Sequence, residues 1–436
     1  MNTSGFNGRR QLWAKVLADP RRAEARDGLV DFMRRSRAFR HDPHRLLELQ
    51  AEMVGALLNL EHSKGQSEAQ AMGHTQTEGI SQAAVDTELS KLIISAVRSI
   101  GDGIAWRALD CDRAALKLLS LKPQTGYLDH SSVLQEIGVA SDYVEAGGNL
   151  VIVNDLTNFL RYGDLTVVSK ENVGIVEVKG GKSSSQSRRA RRQRQALKTV
   201  IDRLNQGEWE TDEGVGRIRR LKARPNAHLL EIAHLIGEAK TRGAANARLS
   251  DCTAVDVWYM PVLVNAADPE EAHRFLHDPF SQSKDAATHN RAEYLDKFSI
   301  NLAPYSIYPF SHEDCVDLMI ADLIIWTHFS DGNLRRCLRR RKLLVQWPSD
   351  DEFEAYDRLT LAEKHQRMDD VALRVARRGG TNEMLVELGL FGRLLYEFLD
   401  EESFADELEE SLDMSRDDEH PTLYFDAFQG EADLWD

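Results

Sequence analysis

The sequence predicts an α/β chain with a helical N-terminal region, a central core ordered helix, three strands, helix, strand, and a C-terminal α/β or α+β region ending in an acidic tail. Three observations carry this. Apolar residues recur at helical spacing through residues 10–60 and again from Val85 to Ile100. The period changes near Asn149, where LVIVND, GDLTVVS and GIVEVKG follow one another as short β-branched runs bounded by turn residues. A basic helical stretch from Arg188 to about Leu204 and a strand signal over Ala254–Val264 come next. A sheet built from such alternation is expected to be mixed.

With 436 residues the chain is too long for one ordinary domain. The organisation expected is 1–82, helical with a linker; 83–265, the core; 266–396, a C-terminal domain; and 397–436, the tail. In the first part Leu12, Trp13, Val16 and Leu17 form one stripe, and Leu46, Leu49, Met53, Leu57 and Leu60 another. Pro20 and Pro43 punctuate them, and the polar, Gly- and Ser-containing run from His62 to Gln82 reads as a linker or long loop. The next helix carries Val85, Leu89, Leu92, Ile93, Ala96, Val97 and Ile100 on one side, and Gly101 and Gly103 are expected to end it. Residues 266–395 alternate helical and extended signals that assemble into no definite topology, and there is no internal repeat.

The opening residues MNTSGFNGRRQLWAKVL lack the apolar centre of a signal peptide, and the most apolar stretch, Leu318–Trp326, is short and contains Asp322. A cytoplasmic protein without a membrane partner is expected. Cys111, Cys252, Cys315 and Cys337 stand far apart with no CxxC pair, so they read as reduced thiols rather than a zinc site or a disulfide frame. Taken as a whole, a net charge of −15 argues against a polyanionic ligand. Its distribution removes the objection, because Glu397–Asp436 holds 16 carboxylates against one arginine and leaves the rest about neutral. Within that remainder Arg188–Lys198 and Arg335–Lys342 are concentrated basic runs.

Chemistry concentrates in YGDLTVVSKENVGIVEVKGGK, Tyr162–Lys182. Successive strand residues face opposite sides, so Ile175, Glu177 and Lys179 share one face while Val176 and Val178 share the other. On the preceding strand Asp164, Thr166 and Val168 share a face. A turn at Glu171–Asn172 pairs Lys170 with Val173, and counting back sets Asp164 opposite Lys179 and diagonal to Glu177, roughly 7–8 Å away at the backbone. Two carboxylates so placed can close on one hard cation. Phosphodiester hydrolysis needs a water made nucleophilic near neutral pH and a positive charge against the phosphate. Mg²⁺ on two carboxylates supplies both, and a lysine can orient the water or offset developing charge.

These residues resemble the PD-(D/E)XK nuclease superfamily, whose signature is an acidic residue, a hairpin-length spacer and Glu/Asp-x-Lys. Here the signature is Asp164, twelve intervening residues and Glu177-Val178-Lys179, with Gly163 in place of the proline. The resemblance covers roughly 83–265. It implies a helix, three-strand, helix, strand nuclease core and Mg²⁺- or Mn²⁺-dependent cleavage of nucleic acid. The substrate would be DNA, with RNA as the other candidate, and prokaryotic antiviral defence or DNA repair is a compatible setting. It further implies metal ligation by Asp164, Glu177 and the Val178 backbone carbonyl, with a carboxylate from the first helix. Glu88 fits that placement, and Glu136 and Glu145 are alternatives. Superfamily members related to the RecB nuclease place a glutamine on the helix after the Glu-x-Lys triplet. Gln195 heads the apolar part of that helix and Gln193 is its neighbour. The run RRARRQRQALK contributes Arg188, Arg189, Arg191, Arg192 and Arg194, which with Lys182 are candidate phosphate contacts.

Each reading has a plainer competitor. Glu177 and Lys179 could form the solvent face of an edge strand paired with Asp164, although aspartate is a poor strand residue. The basic run could be a solvated helical face. GGKS at Gly180–Ser183 is not a phosphate-binding loop, because the glycine that motif needs at position 176 is Val176. HEDC and THN lack partners at ligand spacing. Two rival functions are a nuclease-like binder without catalysis and a protein adaptor. The tail intersperses Tyr424, Phe425, Phe428, Leu434 and Trp435 with acids. That composition suits docking into a basic groove of a protein partner or of this chain's own DNA-binding face. It equally suits a packed terminal helix, Leu394–Leu412, followed by a capping strand.

Overall fold

A computed structural model describes residues 11–39, 42–72, 81–120, 130–160, 162–169, 172–178, 198–204, 206–211, 214–222, 225–263, 291–292, 303–346, 373–378, 383–386, 392–394, 397–414 and 422–428. The chain is mixed α/β, mostly helical, with small sheets.

Helices α1 (11–17), α2 (Arg21–Ala38), α3 (Pro43–Met72) and α4 (Gln82–Ala108) bury the stripes that their spacing predicts. Val16, Leu46, Leu49, Met53 and Leu57 meet Val85, Leu89, Leu92, Ala96, Val97 and Ile100 in one apolar core. Two expectations need correction. The stretch from His62 is not a linker, because α3 runs on to Met72; the Glu61–Lys64 ion pair at 2.7 Å and a sequence rich in Glu, Gln and Ala sustain a solvated helix there. Residues 73–80 lie outside the described part. Gly101 and Gly103 do not end α4 either. They sit inside it because a Cβ at Gly101 would collide with the carbonyl of Leu156, and one at Gly103 with the side chain of Ser306. Glycine here permits close approach rather than a helix stop.

After α5 (Arg113–Ser120) and α6 (His130–Gly147), strands β1 (Leu150–Val153), β2 (Leu165–Val168) and β3 (Val173–Val176) form an antiparallel meander in the order β1-β2-β3. Helices α3 and α6 pack on β1. The fully buried Gln50 of α3 donates to Val151 O at 2.7 Å and accepts from Val153 N–H at 2.8 Å, so it satisfies the outer edge of β1 as a neighbouring strand would.

Residues 198–204, here α7, are helical, with Val200 in the core. They lead into the hairpin β4 (Glu208–Thr211) and β5 (Gly214–Leu221), then α8 (Leu229–Arg242), β6 (Ala244–Arg248) and β7 (Thr253–Tyr259). The strand signal at 254–264 is thus shorter than expected, since Met260–Leu263, which contains Pro261, turns helical. It also belongs to a different sheet. Both edges of β7 are taken by antiparallel ladders, one to β6 and one to β9 (Leu323–Phe329), in the order β6-β7-β9-β8, with β8 at Arg291–Ala292. It therefore does not join β1–β3.

The C-terminal region contains α9 (His312–Met319), α10 (Asp331–Arg340) and an antiparallel sheet of β10 (Leu343–Gln346), β11 (Leu373–Arg377) and β12 (Glu383–Val386). The acidic tail is structured over α11 (Glu401–Met414) and β13 (Thr422–Phe428). Phe404, Leu408 and Leu412 of α11 join Leu334, Leu338 and Val375 in a second core. β13 runs parallel to β5 along its whole length, so the mixed sheet is β13-β5-β4, and the tail strand caps the β4–β5 hairpin. All four cysteines are buried and free. No helix among the described residues is long and apolar enough to cross a membrane.

Candidate active site

The β2–β3 hairpin closes on Ser169 and Asn172. The Ser169 N–H donates to Asn172 O at 3.0 Å, and the Asn172 N–H donates to Ser169 Oγ at 3.0 Å. Val168 therefore pairs with Val173, not Lys170, and the register differs from the expected one by two residues. Lys170–Glu171 carries no glycine or proline to mark the tip, so the serine–asparagine hydrogen bonds decide it.

The ladder bends as it reaches Asp164. Leu165 pairs with Val176, and the Asp164 N–H also donates to Val176 O at 2.8 Å. Two successive residues on one strand thus meet one on the other, the pattern of a β-bulge, which re-aims the side chain. The Asp164 carboxylate turns across the hairpin, and its Oδ2 accepts from the Val178 N–H at 2.5 Å. This sets Asp164 alongside Glu177 and Val178 without the diagonal pairing expected from a regular ladder.

Gly163 makes the bend sterically permissible. Its φ is 65°, and a Cβ there would lie 2.5 Å from Ile175 Cγ2 and 2.8 Å from Val176 O. Proline, fixed near φ −65°, cannot adopt this backbone.

Asn154, 2% exposed, holds the segment before Asp164. Its Nδ2 donates to Tyr162 O at 2.7 Å and Gly163 O at 3.2 Å, its Oδ1 accepts from Thr166 Oγ1 at 2.8 Å, and its N–H donates to Asp164 O at 2.9 Å. Buried Asp102 of α4 anchors the same loop by accepting from Asn158 N–H at 2.6 Å and Asn158 Nδ2 at 2.7 Å. Neither residue is conspicuous in sequence.

Helix α6, immediately before β1, brings Glu136 to the site. It is 3% exposed, and its Oε2 has no hydrogen-bond partner among the described residues. Burial, then the charges of Asp155 and Asp164, push its carboxyl up to about 8. Glu136 thus lies within electrostatic reach of Asp164. Glu88 instead pairs with Lys91 at 2.8 Å on a partly exposed flank of α4, and exposed Glu145 accepts from Ser141 at 3.3 Å. The signal for Glu136 was its place inside the stripe Val133, Ala140 and Val144, where a carboxylate is costly to bury unless it has work to do.

Burial raises the Tyr162 phenol, and the Arg203 guanidinium of α7 partly opposes the shift. Lys179, Lys182, Arg188, Arg189, Arg191, Arg192, Gln193, Arg194 and Gln195 lie outside the described residues. Among the described residues, no group of three or more His, Cys, Asp or Glu is arranged to hold a metal ion. Asp164 and Glu177 at the hairpin and Glu136 on α6 are carboxylates of this region, and they do not form such a group. No family model, curated protein or solved structure matches the chain.

Proposed function

We propose that this protein is a metal-dependent nuclease of the PD-(D/E)XK type that hydrolyses phosphodiester bonds in DNA. The observation that supports it most is a buried carboxyl, Glu136, whose Oε2 has no hydrogen-bond partner among the described residues and whose proton affinity is raised by burial and by the charges of Asp155 and Asp164. Crowding carboxylates together is unfavourable unless a cation is shared.

In this reading Asp164, Glu177, the Val178 carbonyl and Glu136 hold Mg²⁺ or Mn²⁺. The ion, when bound, lowers the pKa of a water and offsets charge on the phosphate. The chain's residues do the rest. The Val178 N–H fixes the rotamer of Asp164. Lys179 orients the attacking water or takes its proton at Nζ, and Gln195 positions that lysine or the phosphate. Arg188, Arg189, Arg191, Arg192, Arg194 and Lys182 contact flanking phosphates, which fixes register without reading sequence.

The test is incubation of the full chain with supercoiled plasmid and with single-stranded DNA, in Mg²⁺, in Mn²⁺ and in chelator. Cleavage confined to the metal-containing samples is expected. Intact DNA under all conditions would leave the reading without support.

A further inference from the structure

A second basic surface stands apart from the hairpin site, on α10 and the adjoining end of the β10–β11 ladder. Leu334, Cys337 and Leu338 of α10 are buried in the C-terminal core, so Arg336 and Arg339 face outward. Lys342 follows the helix and Arg378 follows β11. Both are exposed, and the Arg378 N–H donates to Lys342 O at 2.9 Å, which sets them side by side.

The arginines of this region fall into two groups. Arg341 is held by α11, pairing with Asp406, with Glu409 at 3.5 Å and with Glu402 at 3.7 Å, and Arg377 pairs with Asp413 at 2.7 Å. Arg336, Arg339, Lys342 and Arg378 meet no carboxylate among the described residues; Arg336 touches only the amide of Asn333. Arg336 and Arg339 are three apart on one helix, a spacing at which like charges destabilise it. Lys342 has φ 61°, in the position after a helix end where glycine is usual. A lysine is kept where a residue without a side chain would be less strained. The helix dipole favours cations in the last turn of α10, but it offers no reason for strain at Lys342 or for a fourth cation supplied by β11.

We propose that Arg336, Arg339, Lys342 and Arg378 form a docking strip for the phosphate backbone of DNA, additional to the basic run at 188–194. Three of the four are arginines, whose planar guanidinium matches phosphate in a two-point contact. The proposal rests on the nuclease reading only for the choice of DNA over other polyanions.

The test is binding of a fluorescently labelled DNA duplex to the full chain in chelator, where no cleavage intervenes, across a salt series. In the combined variant Arg336→Gln, Arg339→Gln, Lys342→Gln, Arg378→Gln, affinity at low salt should fall at least about tenfold. The slope of log affinity against log salt should become shallower by about 3.6, from four contacts at about 0.9 each. Lys342→Gly keeps the test decisive should the combined variant misfold. It should raise the unfolding temperature while making the slope shallower by about 1. The proposal is overturned if the wild type does not bind DNA, if it binds anionic vesicles in place of DNA, or if folded variants keep the wild-type slope. Binding without cleavage in the wild type would leave the strip standing and remove the nuclease reading.

Discussion

Asp164 Oδ2 lies 2.5 Å from the backbone nitrogen of Val178, so one carboxylate closes the open end of the β2–β3 hairpin. A charge-assisted hydrogen bond to a backbone amide holds the rotamer. The candidate centre therefore depends on the backbone bend at Gly163 as much as on the acidic residues.

Gly163 is the first point at which to test that dependence. Gly163→Ala should cost roughly 1–3 kcal/mol in urea unfolding, from a left-handed backbone and contact with Ile175 and Val176. Gly163→Pro, which cannot take up a positive φ, should cost more and abolish the proposed cleavage. A proline variant as stable as wild type would show that the bend is not as described.

Glu136 gives a pH signature in chelator. Its carboxyl sits at about 8 in the folded chain and at an ordinary carboxylate value when unfolded. Across that window the folded chain keeps a proton that the unfolded chain releases, so this residue makes stability fall as pH rises from about 5 towards 8. Glu136→Gln should flatten this slope in thermal melts and be more stable near pH 9 by a few kcal/mol, while losing cleavage. Parallel pH profiles for the variant and the wild type would contradict the placement of Glu136.

The basic run after β3 makes a separate prediction. Charge reversal of Arg188, Arg189, Arg191 and Arg192 should weaken DNA binding and flatten its salt dependence. An unchanged slope would make the run a solvated face.

Deleting residues 417–436 removes β13, the parallel partner of β5. The truncated chain should melt at lower temperature and aggregate more readily through the exposed β5 edge. An unaltered melting temperature would mean that the strand contributes nothing to the fold.

Much of this architecture was legible where one signal dominated. The stripes Leu46–Leu57 and Val85–Ile100 are helices with those faces buried, and the three β-branched runs are β1, β2 and β3. Three features were not legible. Polar His62–Met72 is helical because local ion pairs and propensity suffice without an apolar face. The hairpin register turned on Ser169 and Asn172, whose hydrogen bonds no periodicity reveals. The sheet that claims β7 was hidden because β9, its partner, lies some 70 residues downstream. The hairpin that carries Asp164 and Glu177-Val178 was legible from its spacing, whereas Asn154 and Asp102 hold it through backbone groups and leave no pattern.

The central claim is tested most directly by the rate of plasmid cleavage in Mg²⁺ for the wild type beside Asp164→Ala, Glu177→Ala and Lys179→Ala, each checked for folding by circular dichroism. The account predicts metal-dependent cleavage by the wild type, lost in chelator and reduced at least about a hundredfold in each variant, the scale on which removal of a charge-stabilising group acts. Wild-type rates in folded Asp164→Ala, or undiminished cleavage after exhaustive chelation, would contradict it.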